Sequence, residues 1–235
     1  MRTFLLSAAA LASTFAASAG AATRNFGITG FEKVRIEGPF KVRLTTGVPP
    51  FARATGSPSA LDGVAVDVRG DTLVVHNNLD TWGGDGGTNA GPVEISIGTH
   101  DLSAAWLNGS GALSIDKVKG LSFSLSVQGS GAGDIGQVDV DQLSVAVIGT
   151  ASASLAGKAA KLTAAARGIS TLQAGGLATK DATLGADGSV TVEVEVDNAV
   201  AVSASGPATL RFSGGPACTL RVSASASVSG CRSTQ

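Results

Sequence analysis

The sequence predicts an all-β fold, namely a parallel β-helix (solenoid) with coils of about twenty residues. Three observations predict it: turns containing glycine that recur at a nearly fixed period, apolar and polar residues that alternate between those turns, and an unusual composition. Charged residues make up only 15% of the chain, against about 25% in typical soluble domains. Small and β-branched residues replace them, a mixture that favours short strands joined by tight turns.

The turns carry the repeat. Successive turn glycines are separated by 20, 20, 19, 20 and 18 residues, at Gly109, Gly129, Gly149, Gly168, Gly188 and Gly206. A period of this kind indicates a repeat architecture in which each coil buries its inner face against its neighbours. The strands of a β-sandwich do not recur at a constant period, so the solenoid explains the pattern better.

Between the turns, the residues alternate with the period of two that is typical of strands with one buried face. Four segments begin with an apolar residue followed by a hydroxyl residue: Leu102-Ser103, Leu121-Ser122, Leu143-Ser144 and Leu162-Thr163. Aligning these segments predicts that Leu121, Leu143 and Leu162 stack inward, with the neighbouring serines and threonines outward.

The first half is less regular. Two short strands around Val34 and Val42 are separated by Gly38-Pro39, and a hairpin is predicted across Arg69-Gly70-Asp71-Thr72. We interpret residues 24–100 as an irregular, strand-rich N-terminal portion that is continuous with the solenoid of residues 101–235.

Residues 1–22 have the pattern of a secretory signal peptide. Arg2 precedes a short apolar run, and small residues with an A-x-A spacing follow it. No further apolar stretch is long enough to form a transmembrane segment. We therefore expect an exported protein in the periplasm, on the outer cell surface or outside the cell. The 17 basic and 18 acidic residues are nearly balanced, so nothing favours nucleic-acid binding.

Two cysteines, Cys218 and Cys231, lie close together near the end of the sequence. In an exported chain such a pair indicates a disulfide. The alternative is a metal site, but both histidines, His76 and His100, lie far away in sequence.

The loop from Thr81 to Asn89 is the strongest candidate for ligand binding, with Trp82, Asp85 and Asn89 as the contacts. A tryptophan among glycines can present its ring to a sugar or an apolar partner. It can equally fold back and cover an apolar end of the solenoid.

Two groups of outward acidic residues could form functional sites or simply solvated strand faces. Asp139 and Asp141 point outward and could bind calcium if Asp116 and Asp134 approached from neighbouring coils, but a solvated strand face is the preferred interpretation. Glu193, Glu195 and Asp197 form an outward acidic row. It is expected to keep the sheet soluble, with Arg211 and Arg221 facing it from later turns. We predict no metal, no cofactor and no catalytic residue.

The sequence resembles the head GIN domain family, the autotransporter adhesins also described as a domain of unknown function. The resemblance lies in the segment from Phe31 to Leu44, in the turn from Gln128 to Ile135, and in the step from Pro92 to Gly111. It implies a right-handed β-helix with likeness to pectin-lyase folds and an adhesion role, and it carries over no active-site residues.

Three functions follow from these observations. The first is a non-catalytic binding or adhesion protein of the bacterial cell envelope, whose surface ligand is a glycan or an envelope protein. The second is a structural envelope scaffold that self-associates through solenoid ends or edges. The third is a polysaccharide-active enzyme, which rests on fold analogy alone. Sugar cleavage requires a carboxylate pair, or a calcium and base cluster, in a groove rich in aromatic and basic residues. The sequence does not show such a groove, so we expect no enzyme.

Overall fold

The computed structural model describes residues 21–78, 91–223 and 225–232. In chain order the elements are β1 (Ala22–Phe26), β2 (Lys33–Glu37), β3 (Lys41–Thr46), β4 (Phe51–Gly56), α1 (Pro58–Asp62), β5 (Val64–Arg69), β6 (Thr72–Asn77), β7 (Glu94–Thr99), β8 (Ala104–Gly109), β9 (Ala112–Gly129), β10 (Ala132–Gly149), β11 (Ser152–Gly168), β12 (Thr171–Gly188), β13 (Thr191–Ser205), β14 (Thr209–Ser213), β15 (Ala217–Val222) and β16 (Ser227–Ser229).

The strands form a β-solenoid of about six turns with coils of about twenty residues, which confirms the predicted fold class. Strands β9 to β13 pair in parallel, each with the next. In β10 and β12, two consecutive exposed residues interrupt the alternation twice, as at Gly136-Gln137 and Asp141-Gln142 in β10. Each coil therefore has three sides, which in β9 are residues 112–115 (first side), 117–120 (second side) and 122–129 (third side).

The core runs along the solenoid as columns of apolar residues in register. Leu143 and Leu162 are buried and directly paired, as predicted. The prediction for Leu121 was wrong, because this side chain is 78% exposed and the residue paired with Leu143 is Phe123. The chain turns outward at Gly120, where φ is +147°, so the corner leaves Leu121 outside. The inward position falls two residues later than the Leu-Ser alignment predicts.

The N-terminal strands form the first coils in an order that differs from the sequence. Strand β2 lies between β6 and β8, and β3 lies between β7 and β9, all in parallel. The coil formed by β2 and β3 is therefore inserted between two coils that come later in the chain. Strands β5 and β6 form an antiparallel hairpin.

The N-terminal end of the solenoid is covered. Strand β4 pairs antiparallel with β7, and β1 pairs antiparallel with β4. The short helix α1, capped by Ser57, buries Ala60 and Leu61 against the core. The Arg24 guanidinium donates to the Leu61 carbonyl at 2.9 Å and pairs with Asp62 at 2.6 Å, which fastens β1 to α1.

The C-terminal end is only partly covered. Strand β15 pairs with β13, and β16 pairs with β14. Cys218 and Cys231 form the predicted disulfide. The segment from Gly230 to Arg232 passes over Phe212 and Cys218, and the Arg232 amide then donates to the Pro216 carbonyl. We call this segment, residues 230–232, the C-terminal strap.

Candidate functional site

The second side of the solenoid carries a shallow groove of about 520 Å³, which we call the lateral groove. It follows the corner between the second and third sides across five neighbouring coils. Small residues, among them glycine, alanine and threonine, form its floor. Its charged lining residues are three lysines and three aspartates: Lys119, Lys158, Lys180, Asp139, Asp141 and Asp197.

Asp139 is the centre of a charge ladder in this groove. Strand register sets it beside Lys119 of the preceding coil and Lys158 of the following one. Its carboxylate lies 3.8 Å from the Lys119 Nζ and 3.3 Å from the Lys158 Nζ. Both lysine side chains are 71% exposed, so the pairs contribute little to stability. The ladder instead presents alternating donors and acceptors at coil spacing.

These contacts give no support to calcium binding at Asp139 and Asp141. Calcium requires six to eight oxygen ligands, whereas Asp139 faces two ammonium groups. The proposed companions are elsewhere: Asp116 accepts from the Thr46 and Lys117 amides, and Asp134 pairs in register with Ser114 and Ser154. In the part of the chain that the structure describes, no three residues of the His, Cys, Asp and Glu types are placed to hold a metal.

The residues of the acidic row on β13 lie in different surroundings. Glu193 pairs in register with Arg211 of β14, as expected, and Asp197 lines the lateral groove. The expectation for Arg221 was wrong: it pairs in register with Ser203 on the third side. The corner between the sides separates it from the row.

The predicted ligand contacts Trp82, Asp85 and Asn89 lie outside the described residues. The structure does show where their loop leaves the solenoid. The Asn78 amide donates to the Gly63 carbonyl at 3.0 Å, and the Asn78 side chain donates to the Asp62 carbonyl at 3.2 Å. The loop therefore begins at the end of α1, in the N-terminal part of the molecule.

His76 and Asp67 form a hydrogen-bonded pair on the β5–β6 hairpin. The His76 Nε2 lies 2.9 Å from an Asp67 carboxylate oxygen, and its Nδ1 lies 3.0 Å from the Asn77 carbonyl oxygen. The hydrogen bond to Asp67, then that to Asn77, raises the pKa of His76 above its usual 6.5. Because both ring nitrogens face acceptors, neither is directed at a substrate as a general base would be.

Sequence patterns gave no signal for a contact between Arg35 and Trp106. The Arg35 guanidinium lies over the Trp106 ring, 5.5 Å from its centroid. The two residues are more than seventy positions apart and become neighbours only because β2 is inserted beside β8. The contact fastens the inserted coil to the regular solenoid.

No helix in the described residues has the length and apolar character needed to cross a membrane. No curated protein matches the chain. Similar solved structures include a "putative adhesin" from Bacteroides fragilis, at 18% identity over 91% of this chain and 95% of that one, with a TM-score of 0.78. A "putative lipid binding protein" from Parabacteroides distasonis is 18% identical over 88% and 95% of the two chains, with a TM-score of 0.69.

A "putative adhesin" from Parabacteroides merdae is 15% identical over 88% and 95% of the two chains, with a TM-score of 0.65. At these identities the likeness shows the β-solenoid fold alone. The family model described as "Putative auto-transporter adhesin, head GIN domain" matches residues 30–216. The resemblance found in the sequence is thereby confirmed, and the chain belongs to the head GIN domain family.

Proposed function

We propose that this protein is an exported, non-catalytic binding protein of the bacterial cell envelope that attaches to a surface glycan through the lateral groove. The observation that carries the proposal is the charge ladder of Lys119, Asp139 and Lys158. Ammonium and carboxylate groups alternate along it at the strand spacing of about 4.8 Å. Such a row offers donors and acceptors to the hydroxyls of an extended sugar chain while keeping the groove close to neutral.

Family membership supports the adhesion role, and the disulfide supports export, because disulfides persist in oxidising compartments. The groove carboxylate Asp139 is held between lysines, and the His76 ring is engaged on the hairpin. We expect no cleavage of pectin, alginate or peptidoglycan above background; turnover that Asp139→Asn abolishes would contradict this.

The test is a glycan array with lipid and matrix-protein panels alongside, followed by titration of the strongest ligand. We expect the Lys119→Ala/Lys158→Ala double variant to weaken glycan binding by about tenfold or more, which corresponds to about 1.4 kcal/mol. Lys161→Ala is the matched control. Lys161 lies on β11 three residues after Lys158 and points outward on the third side, opposite Gln142 and Asp181.

Equal loss in the control, or no loss in the double variant, would contradict binding at the groove. Binding only to matrix proteins would replace the glycan by an envelope protein as the ligand. If no panel member binds and the protein assembles with itself, the structural scaffold is the better interpretation.

The loop contacts Trp82, Asp85 and Asn89 complete the proposal as a second point of attachment. Trp82→Ala or deletion of residues 83–87 should weaken ligand binding without changing the melting temperature. Unchanged affinity with a lower melting temperature would instead indicate that Trp82 covers an end of the solenoid.

A further inference from the structure

Strand β15 ends the third side of the solenoid with an open edge. It pairs only with β13 among the described strands. Its inward residues continue columns that are buried one coil earlier: Leu220 follows Val202, and Val222 follows Ala204. The earlier residues are 3% and 5% exposed, whereas Leu220 and Val222 are 43% and 41% exposed. The core columns therefore end at β15 with apolar side chains that no further described coil covers.

The unpaired edge has a defined chemistry. Two exposed apolar side chains, Leu220 and Val222, flank the outward Arg221. Among the described residues, no carboxylate lies within ion-pair distance of the Arg221 guanidinium. Beside this edge a cleft of about 320 Å³ opens on the third side, lined by Thr183, Leu184, Ala201, Val202, Ser203, Thr219 and Arg221.

We propose that β15 is a strand-addition site that accepts an extended segment of another protein with the pattern apolar–acidic–apolar. The added backbone would pair with the edge from Thr219 to Val222. Its apolar residues would cover Leu220 and Val222, and its carboxylate would lie beside Arg221. The pattern reads the same in both directions, so it fits a parallel or an antiparallel strand. This site is separate from the lateral groove, and the inference stands without the proposed glycan.

Described parts of the chain do not cover this edge. Cys231 is bonded to Cys218, and the next residue, Arg232, contacts Gly215 and Pro216. The C-terminal strap therefore leads away from Leu220. The described residues next to the longer segments 1–20 and 79–90 lie in the first coils, at the opposite end of the solenoid.

A second copy of the chain fits the edge poorly. Antiparallel pairing of two β15 strands about Arg221 would set like charges directly opposite each other, which destabilises a strand pair. Pairing about Leu220 would bring the Val222 of the second copy over Cys218, a position that Cys231 already occupies. An acidic residue opposite Arg221 removes the charge conflict, and a segment that pairs only from Thr219 to Val222 leaves the position over Cys218 to Cys231.

The probe is a capped, fluorescent peptide with the sequence of residues 191–197, in which valines alternate with acidic residues. A second peptide has its glutamates replaced by lysine. We expect the acidic peptide to bind the full-length exported protein and to slow hydrogen exchange at the amides of residues 219–222. Arg221→Glu should weaken it by about tenfold or more, and the lysine peptide should bind that variant better than the wild type.

The matched control is Arg211→Glu. Arg211 is an exposed arginine on β14, and its outer edge is already paired with Ser229 of β16, so peptide affinity should not change. The proposal is overturned if the acidic peptide fails to bind at millimolar concentration, or if Arg221→Glu and Arg211→Glu lower its affinity equally. A concentration-dependent dimer that Leu220→Asp abolishes would also overturn it, in favour of a second copy.

Discussion

A β-carbon placed on Gly168 would lie 2.6 Å from the carbonyl oxygen of Gly149, the glycine at the same corner of the preceding coil. Gly168 also has a φ of +90°, a conformation that residues with side chains rarely adopt. The same stacking recurs between Gly129 and Gly109 and between Gly188 and Gly168. The glycine period in the sequence thus records both a backbone angle and a close backbone approach.

Gly168→Ala should therefore lower the free energy of unfolding by about 2 kcal/mol or more, from the unfavourable φ and the contact with Gly149 together. Gly185→Ala on the following strand, β12, is the matched control, because its β-carbon would meet only the Ala164 carbonyl oxygen at 4.0 Å. Urea unfolding measures both. Equal stability of the two variants would show that the corner relaxes around an added methyl group.

Ser170 carries the buried side-chain oxygen without a hydrogen-bond partner in the described structure, and the residue is 2% exposed. Ser170→Ala removes the unpaired hydroxyl and should raise the free energy of unfolding by about 1 kcal/mol. Thr99→Val is the contrasting variant, since the Thr99 hydroxyl donates to the Phe31 carbonyl at 2.6 Å. Thr99→Val should lower the free energy of unfolding. A lower melting temperature for Ser170→Ala would indicate a water-mediated partner.

Breaking the disulfide should loosen the C-terminal end before the rest of the solenoid. The bond joins residues 13 apart, and a closed loop of this size contributes about 3 kcal/mol in chain-entropy terms. In the Cys218→Ser/Cys231→Ser variant, hydrogen exchange should rise from Thr219 onward, while amides around Phe123 stay protected. The wild type should have no titratable thiol. Two free thiols in the native protein, or uniform loss of protection, would contradict this prediction.

The His76–Asp67 pair should make stability depend on pH. Because the folded-state pKa of His76 is raised above its usual 6.5, its stabilising contribution is fully present below that value and disappears as the pH rises through the folded pKa. Asp67→Asn removes the main cause. Its stability should therefore fall short of the wild type most at acidic pH and approach it at alkaline pH.

Two measurements check this prediction: an NMR titration of the His76 ring, and urea unfolding of the wild type and Asp67→Asn at pH values on both sides of the His76 titration. A stability difference that grows as the pH rises would have the wrong sign for this pair.

The fold could be predicted from the sequence because each feature of the repeat has a direct structural cause. The glycine period marks the corners, and the alternation marks which residues face the core. The phase of one coil could not be predicted: the two Leu-Ser segments at Leu121 and Leu143 look equivalent, yet Phe123 takes the inward place beside Leu143. Corners differ in length from coil to coil, and a shift of two residues preserves the alternation, so the pattern alone does not reveal it.

The candidate sites could be predicted from the sequence less completely than the fold, because they depend more on the tertiary structure. By itself, the sequence determined a family, a coil length, a disulfide and a set of outward charges. Only the structure decided that Asp139 lies between Lys119 and Lys158, that Arg221 lies apart from the acidic row, and that β2 is inserted between β6 and β8. The physical reason is that contacts between coils join residues about twenty or more positions apart. Their partners are set by strand register and corner length, which local patterns do not encode.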